Sequence, residues 1–148
     1  SDLQNGDDIH VFHVANAHTD GDSVVHFRNA NVIHMGDTFF SGRYPFIDVG
    51  SGGSIAGAIA AVDEVTPLID SDTKIIPGHG PLSGPGDLRH YRAVLTTCRD
   101  RVQALIDAGT SREDAIAAKP NADYDDEWGG GFINPDRWVG SLYDSLTQ

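Results

Sequence analysis

The sequence contains a single cysteine, Cys98, among 148 residues. One cysteine cannot form an internal disulfide, so the fold does not depend on an oxidising compartment. Cys98 lies within an amphipathic helical pattern, which is typical of a small core residue rather than of a catalytic nucleophile.

Basic side chains are also scarce, with 10 Lys and Arg against 22 Asp and Glu and a net charge of −12. Nucleic acids and anionic membrane surfaces require a basic patch, so we expect neither as a partner. No apolar run reaches the roughly 18 residues of a membrane span. The first residues, SDLQNGDD, are polar and acidic and have no signal-segment pattern. We therefore expect a soluble protein, in a compartment that the sequence does not identify.

Several well-known catalytic motifs are missing: the nucleophile elbow, the P-loop and the dinucleotide-binding fingerprint. The glycine-rich run 50–53 precedes a helix and has two interpretations, an anion cradle or a flexible loop ending in the N-cap Ser54. We favour the second. The acidic run 123–127 lacks the ligand spacing of a calcium loop and is predicted to be a solvated loop.

Hydrophobic periodicity predicts an α/β domain covering residues 1–148. Strands are predicted at 9–15, 23–28, 32–35 and 73–76, and the short turn at 29–31 predicts that the strands on either side of it form an antiparallel hairpin. Helices are predicted at 54–69 (ended early or kinked by Pro67), 87–108, 111–119 and 135–146, with long loops at 39–53 and 120–131.

Three polar side chains follow predicted apolar strands: His18, Asp37 and His79. Strand ends that meet at one edge of a sheet present such side chains together. Imidazole and carboxylate suit zinc, iron or manganese, and three protein ligands suffice for a catalytic zinc. These three residues are therefore the predicted metal ligands.

The other histidines are expected to have ordinary structural roles, in strands (His10, His13, His26 and His34) or on the exposed side of a helix (His90). His34, His13 and Asp22 lie close in sequence to the predicted ligands and are candidates for orienting them from an outer shell.

Three segments in order resemble motifs of the metallo-β-lactamase superfamily of metal-dependent hydrolases: AHTDGDS, VIHMGDTFF and IIPGHGPL. The resemblance continues through the long helix to ADYDDEWGGGFINPDRW. It implies half of an αβ/βα sandwich, with one mixed sheet and helices on one face. It also implies hydrolysis of an ester, thioester or amide by a metal-bound hydroxide. His18 would bind a first metal and His79 a second, and Asp37 would bridge the two.

The signature His-x-His-x-Asp-His of that superfamily does not occur in this sequence. The resemblance is therefore to its C-terminal half, and half of the ligands are missing. A lone half would also expose the sheet face that the other half covers. We expect a homodimer, or pairing with a separate N-terminal half; a truncated product that self-associates is the remaining explanation.

Two functional hypotheses follow. The chain is the C-terminal half of a metal-dependent hydrolase whose site a second chain completes, or it is a non-catalytic remnant or interaction module that keeps the half-fold as a homodimer.

Overall fold

A single mixed sheet organises the computed structural model, which describes residues 2–148. Its five strands lie in sequence order, and all neighbours are antiparallel except the last pair, which is parallel. The strands are β1 Asp2–Gln4, β2 Asp7–Val14, β3 Asp22–Phe27, β4 Val32–Phe40 and β5 Lys74–His79.

Five α-helices complete the fold, three of them after the last strand and its long following helix. They are α1 Ile55–Val65, α2 Pro85–Asp107, α3 Arg112–Ala117, α4 Ala122–Trp128 and α5 Pro135–Leu146, with 3-10 turns at Val49–Ser51 and Thr66–Leu68. Pro67 falls in the second 3-10 turn, so the predicted early end of the first helix is confirmed.

The helices cover one face of the sheet, as the alternation of burial along the strands shows. Val24, Ile33 and Ile75 are fully buried on the helix side. Their neighbours in sequence point the other way, where His34 and Lys74 are exposed. This period of two is the pattern of a sheet packed on one side, and it confirms the predicted α/β class with a mixed sheet.

The four predicted strands correspond to β2, β3, β4 and β5. The predicted ends of β4 and β5 come too early in the sequence. β4 continues to Phe40 and β5 to His79, because the two strands keep pairing past a bulge at Gly36. Gly36 has a φ of +55°, a conformation that glycine adopts without strain and that a sequence pattern reads as the end of a strand.

Two elements were missed. β1 is only three residues long and pairs with the start of β2. The acidic run 123–127, predicted as a solvated loop, lies instead in helix α4, with Trp128 buried at its end. Acidic residues in the first turn, which favour a helix N-terminus, were the available signal.

The long helix α2 begins at Pro85 rather than at 87. Asp87 accepts a hydrogen bond from Gly84 N at 2.9 Å.

The first turn of α1 packs against the chain that follows β2 at a distance only glycine allows. A Cβ on Gly57 would lie 1.7 Å from the carbonyl oxygen of Asn16, and a Cβ on Gly53 would lie 2.2 Å from that of His18. Ser54 caps the helix, accepting from Gly57 N at 2.9 Å, and its own N–H donates to Asn16 O at 2.9 Å. The predicted N-cap at Ser54 is thus present, whereas the glycine-rich run before it is closely packed rather than a flexible loop.

Cys98 is fully buried in the core, and burial raises the pKa of its thiol to about 11. Its neutral form is therefore strongly favoured, as expected of a core residue. His90 is exposed on α2, as predicted. Across residues 2–148, none of the helices has both the length and the apolar character that crossing a bilayer would require.

We predict that Gly57→Ala destabilises the protein by about 1–3 kcal/mol, because the added methyl forces α1 away from the backbone of Asn16. Gly86→Ala is the matched control: it also lies in a helix, but its Cβ meets only Arg89 Nη2 at 3.8 Å. That change should be neutral or stabilising by up to about 1 kcal/mol. Urea unfolding measures both, and equal stabilities would contradict the packing argument.

Candidate functional site

His18 lies in the loop between β2 and β3, and its position is fixed on both its backbone and its ring. Its carbonyl oxygen accepts from Asp48 N at 2.9 Å. Its Nδ1 faces Asp22 Oδ1 at 3.7 Å, and Phe46 packs edge-on against the ring with a centroid distance of 5.2 Å. These contacts direct Nε2 towards Asp37, whose Oδ2 lies 4.0 Å away.

Asp37 follows the bulge in β4 and therefore lies within the strand rather than after it, which corrects the prediction. The Asp37 carboxylate packs directly against the neighbouring strand, β5, at Gly78. A Cβ on Gly78 would lie 2.3 Å from Asp37 Oδ1. Glycine at 78 thus leaves the space that the Asp37 side chain occupies.

His79 is the last residue of β5, not part of the loop that follows it, which is the second correction. Its ring stacks on Phe40 at a centroid distance of 4.7 Å, and its carbonyl oxygen accepts from Ser41 N at 2.9 Å. Its Nε2 lies 3.2 Å from Asp37 Oδ1. Because Phe40 and His79 are partners in the parallel ladder, the pairing itself places the imidazole beside the carboxylate.

One carboxylate therefore serves two imidazoles, with Oδ2 of Asp37 facing His18 and Oδ1 facing His79. The three residues predicted from sequence as ligands do meet at one place. They lie in the wall of a cavity of about 200 Å³ that is otherwise mostly aromatic. Its remaining lining residues are Phe40, Arg43, Tyr44, Phe46 and Phe132.

The donor types fit a zinc, iron or manganese site, but their arrangement does not, because the two imidazoles face different oxygens of Asp37. The two pairs formed with Asp37 each offer one imidazole and one carboxylate oxygen, whereas a catalytic zinc takes three protein ligands. In line with this, the described part of the chain contains no group of three or more His, Cys, Asp or Glu side chains arranged to hold a metal ion. The described residues by themselves do not form a complete metal site.

Of the three candidates for outer-shell support, only Asp22 contacts a predicted ligand. It faces His18 Nδ1, and its Oδ2 also accepts from Thr19 N at 2.7 Å, which ties the loop together. His13 contacts the carbonyl oxygen of Asp20. The ring of His34 turns back on its own strand, where Nδ1 accepts from Gly36 N at 3.0 Å. An orienting role for His13 and His34 stays a prediction.

Sequence reasoning did not identify the cavity wall contributed by Arg43, Phe46 and Phe132. The signal available was the density of aromatic residues in the segment after β4. Tyr44 anchors that segment: its N–H donates to Trp128 O at 3.0 Å and its hydroxyl donates to Asp125 Oδ1 at 2.8 Å. Burial, together with this hydrogen bond, raises the pKa of Tyr44, so the hydroxyl stays protonated and keeps donating.

Comparison with known proteins found similar solved structures. No protein-family model matches the sequence, and no curated protein matches it. The DIM-1 metallo-β-lactamase is 22% identical over 66% of this chain and 45% of its own, with a TM-score of 0.52. A metallo-β-lactamase from Pontibacter korlensis is 16% identical over 63% and 43%, with a TM-score of 0.51. The BLEG-1 B3 metallo-β-lactamase is 24% identical over 62% and 43%, with a TM-score of 0.50.

This chain thus spans less than half the length of the solved structures that it resembles. At such identities the likeness is one of fold. It confirms the expectation of a partial fold of this kind, with one mixed sheet and its helices.

We predict that Gly78→Ala displaces the Asp37 carboxylate and lowers stability by about 1–3 kcal/mol, since the new Cβ would also lie 2.6 Å from the backbone of Gly36. Amide chemical shifts at 36 and 37, together with urea unfolding, measure both effects. Gly84→Ala is the control, because its Cβ meets nothing within 4 Å; it should cost less than about 1 kcal/mol. Unmoved resonances at 37 in the Gly78 variant would contradict this account.

Proposed function

We propose that this chain, whose fold is part of the metallo-β-lactamase fold, supplies half of the ligand set of a metal-dependent hydrolase site. The observation that carries the proposal is the Asp37 carboxylate shared between His18 and His79, one oxygen towards each. A carboxylate placed in this way suits a bridge between two neighbouring cations. The reaction class is hydrolysis of an ester, thioester or amide.

The roles of the chain's own residues follow from their contacts. Asp22 orients the His18 ring, Phe40 holds His79 by stacking, and the space above Gly78 holds Asp37 between them. Such supporting contacts are the usual means by which a protein fixes the direction of metal-binding side chains. In this proposal the further ligands lie outside residues 2–148 of a single chain, because each imidazole–carboxylate pair is incomplete.

The open face of the sheet is the surface on which we place that second contribution. Two rows of side chains cross it in register, and six of their eight members are apolar. The rows are Val11, Val25, His34, Ile76 and Ile9, Phe27, Val32, Lys74. Val11 at the edge of this face is 58% exposed. A contiguous apolar face marks an interface.

A second copy of this chain is the occupant we propose for the open face. Two-fold pairing lets the same apolar rows cover each other without any further component. It also brings a second set of imidazole and carboxylate groups into the assembly, which a site with two incomplete pairs requires. A separately encoded N-terminal half is the alternative occupant.

The second candidate function is that of a non-catalytic interaction module. It is favoured by one observation: no complete metal-binding group occurs within residues 2–148. In that case His18, Asp37 and His79 keep the arrangement of a metal site without binding a metal, and the open face is the functional surface. Metal content distinguishes the two candidates, whereas self-association is common to both.

We predict that the chain is a dimer at micromolar concentration and that Val11→Asp makes it monomeric. Val11 is already exposed in the single chain, so a charge there should disrupt pairing without unfolding the domain. Leu68→Asp is the control, since Leu68 is 40% exposed but lies on the helix side of the sheet. Sedimentation velocity measures both, and a 15.8 kDa species for the unmodified chain would contradict the proposal.

We predict that the dimer purified without chelator contains zinc, iron or manganese and that Asp37→Ala weakens its binding. Since Asp37 faces both imidazoles, its loss should cost at least the roughly 10–100-fold typical of losing an outer-shell partner. Asp72→Ala, at an exposed carboxylate away from the cavity, is the matched control. Elemental analysis and zinc titration supply the measurement. A dimer that takes up no metal would reject the hydrolase proposal in favour of the interaction module.

A further inference from the structure

Lys and Arg side chains are fewer than Asp and Glu side chains in this protein, and most of them form ion pairs with carboxylates. Six of the 10 Lys and Arg residues form ion pairs within 4.0 Å: Arg28, Arg92, Arg99, Arg101, Arg112 and Lys119. Within residues 2–148, the other four have no carboxylate oxygen within that distance: Arg43, Lys74, Arg89 and Arg137. A guanidinium without an acidic partner can form charge-assisted hydrogen bonds with an anionic ligand.

Of these four residues, Arg43 lines the cavity that contains His18, Asp37 and His79, and Arg137 contacts a lining residue of that cavity, Phe132. Arg43 is part of the cavity wall, and its stem packs over Gly131, where a Cβ would lie 3.3 Å from Arg43 Cδ. Arg137 lies over the ring of Phe132, 5.0 Å from its centroid. Phe132 itself lines the cavity and is 76% exposed. The cavity wall at Arg43 and Phe132 therefore combines positive charge with an exposed aromatic surface.

Asp37 is the acidic residue of the cavity wall, and it does not neutralise Arg43. Its two oxygens face His18 and His79, and neither lies within 4.0 Å of a guanidinium nitrogen. On its other side Arg43 borders a second cavity with Asp87 and Glu127. The Asp87 carboxylate caps α2 by accepting a hydrogen bond from Gly84 N. Within the described chain, neither Asp87 nor Glu127 forms an ion pair with Arg43. The guanidinium is therefore available to a ligand.

We propose that Arg43 binds the carboxylate of the substrate, so that this site acts on small carboxylic acids with an apolar body. A planar guanidinium accommodates a carboxylate with two parallel hydrogen bonds, which gives orientation as well as affinity. The apolar body would lie on Phe46 and Phe132, in the same cavity as the two imidazoles. This inference rests on the proposed function for its role in a reaction, but the binding itself does not depend on metal.

The size of the cavity limits the ligand. Its volume of about 200 Å³ is below the roughly 300–1,000 Å³ typical of complete ligand pockets. A benzoate-sized acid is therefore a suitable probe, and a nucleotide or a long peptide is not. Benzyl alcohol is the matched neutral probe, since it has the same ring and a polar head without charge.

The test measures the binding of both probes to the full chain in the presence of a chelator, by protein-detected NMR titration. We expect benzoate to bind about tenfold more tightly than benzyl alcohol, the difference that one charge-assisted contact gives. Arg43→Ala should abolish this preference, and Arg43→Lys should retain part of it, because the charge remains but the paired geometry is lost.

Arg89→Ala is the control for net charge. Arg89 also has no ion pair with a described residue, but it lines a separate cavity of about 360 Å³ at the start of α2. This variant should keep the preference for benzoate. The proposal is overturned if the two probes bind equally, if Arg43→Ala keeps the preference, or if Arg137→Ala alone removes it. A chain that takes up no metal yet binds benzoate through Arg43 would reject the hydrolase function and leave the carboxylate site established.

Discussion

The parallel pairing of β4 with β5 is the interaction on which the site depends. It continues past a bulge at Gly36 and ends with Phe40 opposite His79, so that imidazole, phenyl ring and carboxylate are fixed relative to one another by backbone hydrogen bonds. A parallel pair needs a covering crossover, and α1 supplies it between the two strands. The chemistry of the cavity is thus attached to the most constrained part of the fold.

Close backbone contacts at glycine then connect His18 to this pair. The loop that carries His18 is pressed against the start of α1 at Gly53 and Gly57, and α1 itself lies against β4. Asp37 in turn occupies space that any side chain at 78 would take. Packing at these glycines leaves no room for a side chain. The positions of the imidazoles therefore depend on glycine at 53, 57 and 78.

The arrangement has a consequence for function that neither the ligands nor the sheet reveals alone. A carboxylate divided between two imidazoles leaves both incomplete, and the same chain leaves an apolar sheet face open. The proposed function assigns both features to one further protein surface, which would complete the ligands and cover the sheet face. In the carboxylate proposal, Arg43 and the exposed Phe132 in the same cavity wall favour a charged, partly apolar ligand.

The sequence by itself determined the α/β class, the order of the main strands and helices, and the core position of Cys98. It also identified His18, Asp37 and His79 as a group. These features could be predicted because periodicity and residue type are local properties. The ends of β4 and β5 required the tertiary structure, since a glycine bulge interrupts the pattern while pairing continues. Helix α4 also required it, because burial of Trp128 and the bond from Tyr44 to Asp125 stabilise a segment whose composition resembles a loop. The contact of Arg43 with Gly131 joins segments far apart in sequence, and only folding decides which side chains meet across such a distance.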